Sequence, residues 1–240
     1  MVSLVLKPLG YPRLMSMSAR LLNFFRPYKT IPITPWRATS RWDLSFSRVL
    51  ILFVGLFIFG LGDSLLIQSA LGNAPWSVLA QGLAKTFHSE IGILTFLISA
   101  VVLLLWIPLK EKPGFGTISN IVLIAAAIQI GIVFIPEARN STLGLVYVLL
   151  GIAMVGAGSS LYITCGLGPG PRDGLMTAIH HKTGIRVGRV RLAIEGTVLV
   201  FGALLGGRIG IGTALFALLI GQSIAIFLGI MARLTSLAPQ

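Results

Sequence analysis

The chain has 240 residues, of which 55% are apolar and only 11% charged, and its mean hydropathy is +0.91. A soluble domain carries about 25% charged residues, so this composition excludes an ordinary water-soluble globule and points to a multi-pass membrane protein. The net charge of +12 comes from basic residues that flank apolar stretches instead of gathering on one face, which argues against nucleic acid as a partner.

In chain order, the first segment is 1–45. It carries Lys7, Arg13, Arg20, Arg26, Lys29, Arg37 and Arg41 against one acid, Asp43. It holds no apolar stretch with a cleavage site, so no cleaved leader is expected. Leu14 to Phe25 has the pattern of a basic amphipathic helix for the inner leaflet surface. The composition also fits a transit peptide, and Met15 or Met17 is an alternative start. The reading adopted is a cytoplasmic arm, disordered or lying on the membrane.

Six apolar stretches follow: 47–67, 91–109, 116–136, 142–163, 187–206 and 211–231. Each is long enough to cross about 30 Å of hydrocarbon. Two further segments, 74–88 and 170–183, are shorter and more polar, and each begins with Pro behind a Gly-containing turn. They are expected to be short helices, re-entrant or interfacial. With the N-terminus in the cytoplasm, 16 of the 19 Lys/Arg fall on the cytoplasmic side. Lys85, Arg139 and Arg208 fall outside. Both termini are then cytoplasmic, as the positive-inside rule favours.

The chain also repeats itself at an offset of 96 residues: Leu71-Gly72-x-x-Pro75 returns as Leu167-Gly168-x-x-Pro171. Gly114-x-Gly116-Thr117 returns as Gly210-x-Gly212-Thr213, and Gly55, Gly60 and Gly62 return as Gly151, Gly156 and Gly158. Each copy, 46–136 and 142–231, holds three spans. Three is odd, so the second copy enters the membrane from the opposite side. The expected fold is therefore an all-α membrane protein of six transmembrane helices in two inverted three-helix repeats, each with a short Pro-started helix.

The paired short helices are the first site candidates. A helix N-terminus presents free N–H groups and partial positive charge, and two converging would favour an anion or carboxylate. This places Asn73, Trp76 and Ser77 on one side of a substrate site and Gly170, Arg172 and Asp173 on the other. The plain alternative makes both segments interfacial, with Trp76 a headgroup anchor and Arg172–Asp173 a local ion pair. Asp63 and Glu195 lie inside spans, where ionisable groups are expensive and so are candidates for ion or proton coupling. Glu195 also suits the substrate site, or else simply neutralises Arg191 one turn away. The glycines of the first and fourth spans read as close helix packing, and Thr117 and Thr213 as caps. Cys165 is the single cysteine and no metal-ligand cluster stands out, so no metal or cofactor is expected. No nucleophile, base and acid set is apparent, and an enzyme is not expected.

Gly168-Pro169-Gly170-Pro171-Arg172-Asp173-Gly174-Leu175 with His181-Lys182-Thr183-Gly184 resembles the signature of the YczE/YyaS/YitT-type bacterial membrane proteins. So do Leu71-Gly72-x-Ala74-Pro75-Trp76, Trp106-Ile107-Pro108-Leu109 and Gly206-Gly207-x-x-Gly210. The resemblance covers about 46–231 and is nearest the YczE branch. It implies a bacterial inner (plasma) membrane protein. The family pattern usually has an acid where this chain has Ser77, and often one where it has Gln129. The functional expectation is a small transporter or permease with its site between the repeats, in contact with the lipid bilayer and a small solute or ion, alone or as a homodimer. A regulatory scaffold using the basic cytoplasmic face is the alternative, and a channel a third.

Overall fold

The structure is a computed structural model, and it describes residues 25–28 and 30–236. The amphipathic helix expected from Leu14 lies outside the described residues. Those residues form nine helices and no strand. They are α1 (Phe46–Gln68), α2 (Pro75–Phe87), α3 (Ile91–Leu104), α4 (Trp106–Leu109), α5 (Phe115–Phe134), α6 (Ser141–Cys165), α7 (Pro171–Thr183), α8 (Val187–Leu204) and α9 (Ile211–Ser236).

Five helical stretches are long and apolar enough to cross a bilayer: Phe46–Gln68, Ile91–Leu109, Phe115–Phe134, Ser141–Cys165 and Ile211–Thr235. The sequence count of six includes α8, which falls short of that standard. Its first half carries Arg189, Arg191 and Glu195, charges that a lipid-facing helix does not tolerate. Two of the three turn inward, as described below. Helices α2 and α7 have 13 residues each, about 20 Å at 1.5 Å per residue, too short to span. Large apolar side chains such as Phe57, Leu97, Val101, Leu149 and Leu218 are exposed on the outer surface, the inverse of a water-soluble fold.

Caps fix several helix starts. Ser45 accepts from the Arg48 N–H at α1, and Asn140 from the Leu143 N–H at α6. Thr117 and Thr213 act as expected, each accepting from the glycine N–H three residues before it, at 3.1 and 3.4 Å.

The centre of the bundle is the α1–α6 pair. The two helices run antiparallel, Gly55 against Gly158 and Gly62 against Gly151. A Cβ on Gly62 would stand 2.8 Å from the Gly151 carbonyl oxygen, so the backbones approach to a distance only glycine permits. Helix α5 packs on α1, and α9 on α6. The short helices cross over: α2 packs on α8, and α7 on α3. Contacts between the two halves recur in pairs at the 96-residue offset. The Gly116 N–H donates to the Leu167 carbonyl (2.8 Å), and the Gly212 N–H to the Leu71 carbonyl (2.9 Å).

The described part of the arm is docked on the bundle, where a loose or surface-lying segment was expected. Thr34 Oγ1 donates to the Thr164 carbonyl, Trp36 Nε1 to Thr164 Oγ1, and the Ala38 N–H to the Cys165 carbonyl. Arg48 ties this segment to α1, pairing with Asp43 at 2.9 Å and donating to the Trp36 carbonyl. The Thr39 N–H, the Thr39 hydroxyl and Arg48 hold the Asp43 carboxyl below its ordinary value. A lowered native pKa stabilises docking above the unfolded value, about 3.9, and is lost as pH falls through the native one. Amide exchange over 36–43, taken relative to its intrinsic rate at each pH, is therefore expected to speed up below about pH 4 more than at the α1 core. In Asp43→Asn it should be fast already at pH 7.

Candidate functional site

The site is built from the loop that precedes each short helix. Gly72 and Gly168 have φ of +109° and +110°, a region that only glycine enters freely. Both loops are wedged under the other half of the chain. A Cβ on Gly72 would strike the Gly210 backbone, and one on Gly168 would stand 2.9 Å from Thr117 Oγ1. The turns aim α2 and α7 inward, and neither helix has a side-chain cap at its start.

Both N-termini open onto one cavity of about 260 Å³. Ala74, Pro75 and Trp76 of the first half meet Gly170, Arg172 and Asp173 of the second around it. Helices α1, α3, α5 and α6 supply Asp63, Ser99, Asn120 and Tyr162, while α8 supplies Arg191 and Glu195. The cavity walls mix apolar side chains, such as Phe59, Phe216 and Ile220, with charges of both signs.

The expected site residues divide as follows. Asp63 is 2% exposed, and both its oxygens accept from the Ser77 hydroxyl at 2.9 and 2.8 Å. Ser77 stands on the first turn of α2, so the carboxylate sits beside that positive helix end. Trp76 is 7% exposed and stacks under the Arg172 guanidinium, 5.0 Å from the ring centroid. This corrects the alternative of Trp76 as a headgroup anchor: the ring is buried and faces the half-buried Arg172 cation. Arg172 and Asp173 form no direct ion pair, although the Asp173 charge acts on Arg172 from a greater distance. Adjacent helical residues point to different faces. Asp173 accepts instead from the Tyr162 hydroxyl at 2.8 Å. Arg172 interacts electrostatically with Asp63, Asp173 and Glu195 together. Glu195 pairs with Arg191 at 2.9 Å, and both side chains line the cavity.

Asn73 is buried but is not among the cavity residues. Its Nδ2 donates to Gln81 Oε1 (2.9 Å), which also accepts from the Arg208 N–H (2.7 Å). It fastens the loop after α8 to α2.

Sequence reasoning missed Tyr162, Ser159 and Asn120. Ser159 was findable, because it stands 96 residues after Asp63. Tyr162 reads as ordinary core on an apolar helix. It also marks a boundary. A shallower pocket of about 370 Å³, lined by Ile31, Arg41, Gly168 and Thr177, shares Tyr162 and Asp173 with the main cavity. The Tyr162–Asp173 hydrogen bond lies between the two.

Among the described residues no group of three or more His, Cys, Asp or Glu could hold a metal ion. The cavity can take a small solute that carries charge. Arg172 and two helix N-termini face an anionic group, while Asp63 and Asp173 face a cationic one.

The chain is similar along most of its length to bacterial proteins. An uncharacterized protein of Haemophilus influenzae is 43% identical over 206 residues, covering 86% of this chain and 94% of that one. The uncharacterized membrane protein YczE of Bacillus subtilis is 36% identical over 171 residues, covering 70% and 80%. The uncharacterized protein YyaS of the same organism is 28% identical over 184 residues, covering 75% and 92%. No solved structure is similar. A family model described as a family of unknown function (DUF6198) matches residues 46–229. That match takes in every residue that lines the cavity and leaves out the whole of the arm, and the chain is a multi-pass membrane protein of this family.

Proposed function

We propose that the chain is a small transporter of the bacterial plasma membrane, built from two inverted three-helix repeats with its substrate site in the cavity between them. It carries a solute without changing it chemically. The observation that carries this reading is the meeting of Trp76 with Arg172. These residues occupy the same place in the two repeats, 96 positions apart, and their side chains stack. Counterparts touch only where a pseudo-twofold axis passes between them. Six more pairs of counterparts line the same cavity, among them Asp63 with Ser159 and Ser99 with Glu195. The antiparallel α1–α6 pair supports an axis in the membrane plane, the arrangement of inverted-repeat transporters. Under this reading α8 is the sixth span, tolerated because Arg191 and Glu195 face the cavity instead of lipid.

The scaffold alternative draws on the exposed Lys182, Arg186 and Arg189. It loses Arg191, which turns into the cavity.

Cysteine labelling in a Cys165→Ala background tests the proposal. Cysteine at position 85 should react with an impermeant maleimide only from outside, and at 182 only from the cytoplasm. Cysteine at Ser99, on the cavity wall, should react with a small thiosulfonate from both faces, as alternating access requires. Labelling of 85 and 182 from the same side sinks the inverted repeat. A Ser99 cysteine reached from one face only sinks the transporter.

A further inference from the structure

Beside the charged cavity lies a second, larger space of about 700 Å³ with apolar walls. Leu79 and Leu83 of α2, Leu97 and Val101 of α3, and Ile194 and Val198 of α8 line it. The two spaces share Trp76. On one side the ring carries the Arg172 guanidinium. On the other it closes the inner end of the groove.

The closed and open sides of the molecule explain this placement. On one side the halves are sealed by α1 and α6, whose glycines bring backbone against backbone. On the other side stand α3 and α8, also counterparts at the 96-residue offset. The groove runs between them, and outward-facing Leu97, Val101, Leu192 and Val200 are exposed around it. In a membrane this surface meets lipid tails. A path from the bilayer into the cavity therefore passes one side chain. Trp76 Nε1 is buried and without a hydrogen-bond partner. The indole is held by packing and by Arg172, and turning it aside breaks no hydrogen bond.

We infer that the ligand is an amphiphile, with a small zwitterionic head in the cavity and a single hydrocarbon chain in the groove. This rests on the cavity being the substrate site. The anionic part of the head meets Arg172 and the two helix N-termini. Its cationic part meets Asp63 and Asp173. A chain in the groove lies against apolar side chains and Thr197, whose hydroxyl is taken up by the Ala193 carbonyl, and a polar solute would leave that groove unused.

The test uses the full chain in lipid nanodiscs, with binding read by native mass spectrometry. The probes are lysophosphatidylethanolamine, its head alone (glycerophosphoethanolamine), and lysophosphatidylglycerol with its anionic head. The zwitterionic lysolipid should bind at least tenfold more tightly than either other probe. Leu97→Trp, which fills the groove, should weaken it at least tenfold while leaving the head-alone probe unmoved. Leu218→Trp, on the exposed face of α9 away from the groove, should bind as the parent does. Asp63→Asn should weaken the zwitterionic probe and not the anionic one. Equal binding of the head alone, indifferent to Leu97→Trp, overturns the amphiphile and keeps a polar-solute transporter. Lysolipid binding indifferent to Asp63→Asn reduces the groove to an ordinary lipid contact and also overturns it. Head-dependent lysolipid binding with a Ser99 cysteine reached from one face only keeps the site and removes transport.

Discussion

Replacing Gly62 by leucine is expected to destabilise the protein by about 3 kcal/mol or more, the upper range for overpacking a filled core. A Cβ there would stand 2.8 Å from the Gly151 oxygen, from Met154 Cβ and from the Val155 nitrogen. Two of these three are backbone atoms, which have no rotamer to escape into. The helices must therefore separate. Separation also strains the partner contact of Gly158 with Gly55 further along the same pair. Gly158→Leu is expected to be as damaging, because the contact recurs at the 96-residue offset. The matched control is Gly196→Ala on α8, where an added Cβ meets nothing within 4 Å. That change should be neutral or stabilising by up to about 1 kcal/mol through helix propensity. The measurement is the thermal unfolding midpoint in detergent. About 1 kcal/mol moves it by roughly 2–4 °C for a chain of this size. The two glycine-to-leucine variants should fall by about 6–12 °C or fail to accumulate. A Gly62→Leu midpoint within about 2 °C of the parent would show that α1 and α6 do not meet in this way.

These glycines were legible in the letters because they recur at a fixed spacing on apolar stretches, and close packing is the ordinary reason for that. The short helices were legible for a similar reason. A Pro start behind a glycine in each copy is local chemistry, and local chemistry survives tertiary packing. The environment of Trp76 was not legible. A tryptophan beside a turn in a membrane protein reads as an interfacial anchor. Only the fold brings Arg172 onto its ring. The partner of Asp173 was hidden too, since Tyr162 precedes it by a helix end and a glycine-rich loop. Yet helical geometry already spoke against an Arg172–Asp173 pair. Asn73 misled in the opposite sense: its position beside Pro75 suggested the site, and its side chain turns away to Gln81. Apolar length gave 187–206 as a span, although Arg191 and Glu195 within it belong to a cavity wall. Apart from the Arg172–Asp173 pair, the local reading was sound, and what it lacked was the face that packing would cover.

That dependence on the other repeat makes Arg172 the most informative residue to change. It is a cation set among Asp63, Asp173 and Glu195. Glu195 has Arg191 for a partner, and Asp173 has the Tyr162 hydroxyl. Asp63 has only the neutral Ser77 hydroxyl bonded to it. Removing Arg172 therefore falls hardest on Asp63, which would keep a buried negative charge with no cation near it. Breaking a buried charge pair by removing one partner destabilises by about 3–5 kcal/mol. Arg172 is half-buried against the cavity, so Arg172→Gln is expected to fall short of that, by about 2–3 kcal/mol or 5–10 °C in midpoint. Adding Asp63→Asn removes the stranded charge and should recover at least half of the loss. The same addition to Trp76→Leu should recover nothing, since that variant loses ring stacking worth about 1–2 kcal/mol and strands no anion. A double-mutant cycle thus separates charge from packing. If Arg172→Gln and Asp63→Asn prove additive within about 0.5 kcal/mol, the two groups do not share a field. The mixed-charge cavity would then be a set of separate local contacts, and both the substrate site and its zwitterionic ligand would lose their physical basis.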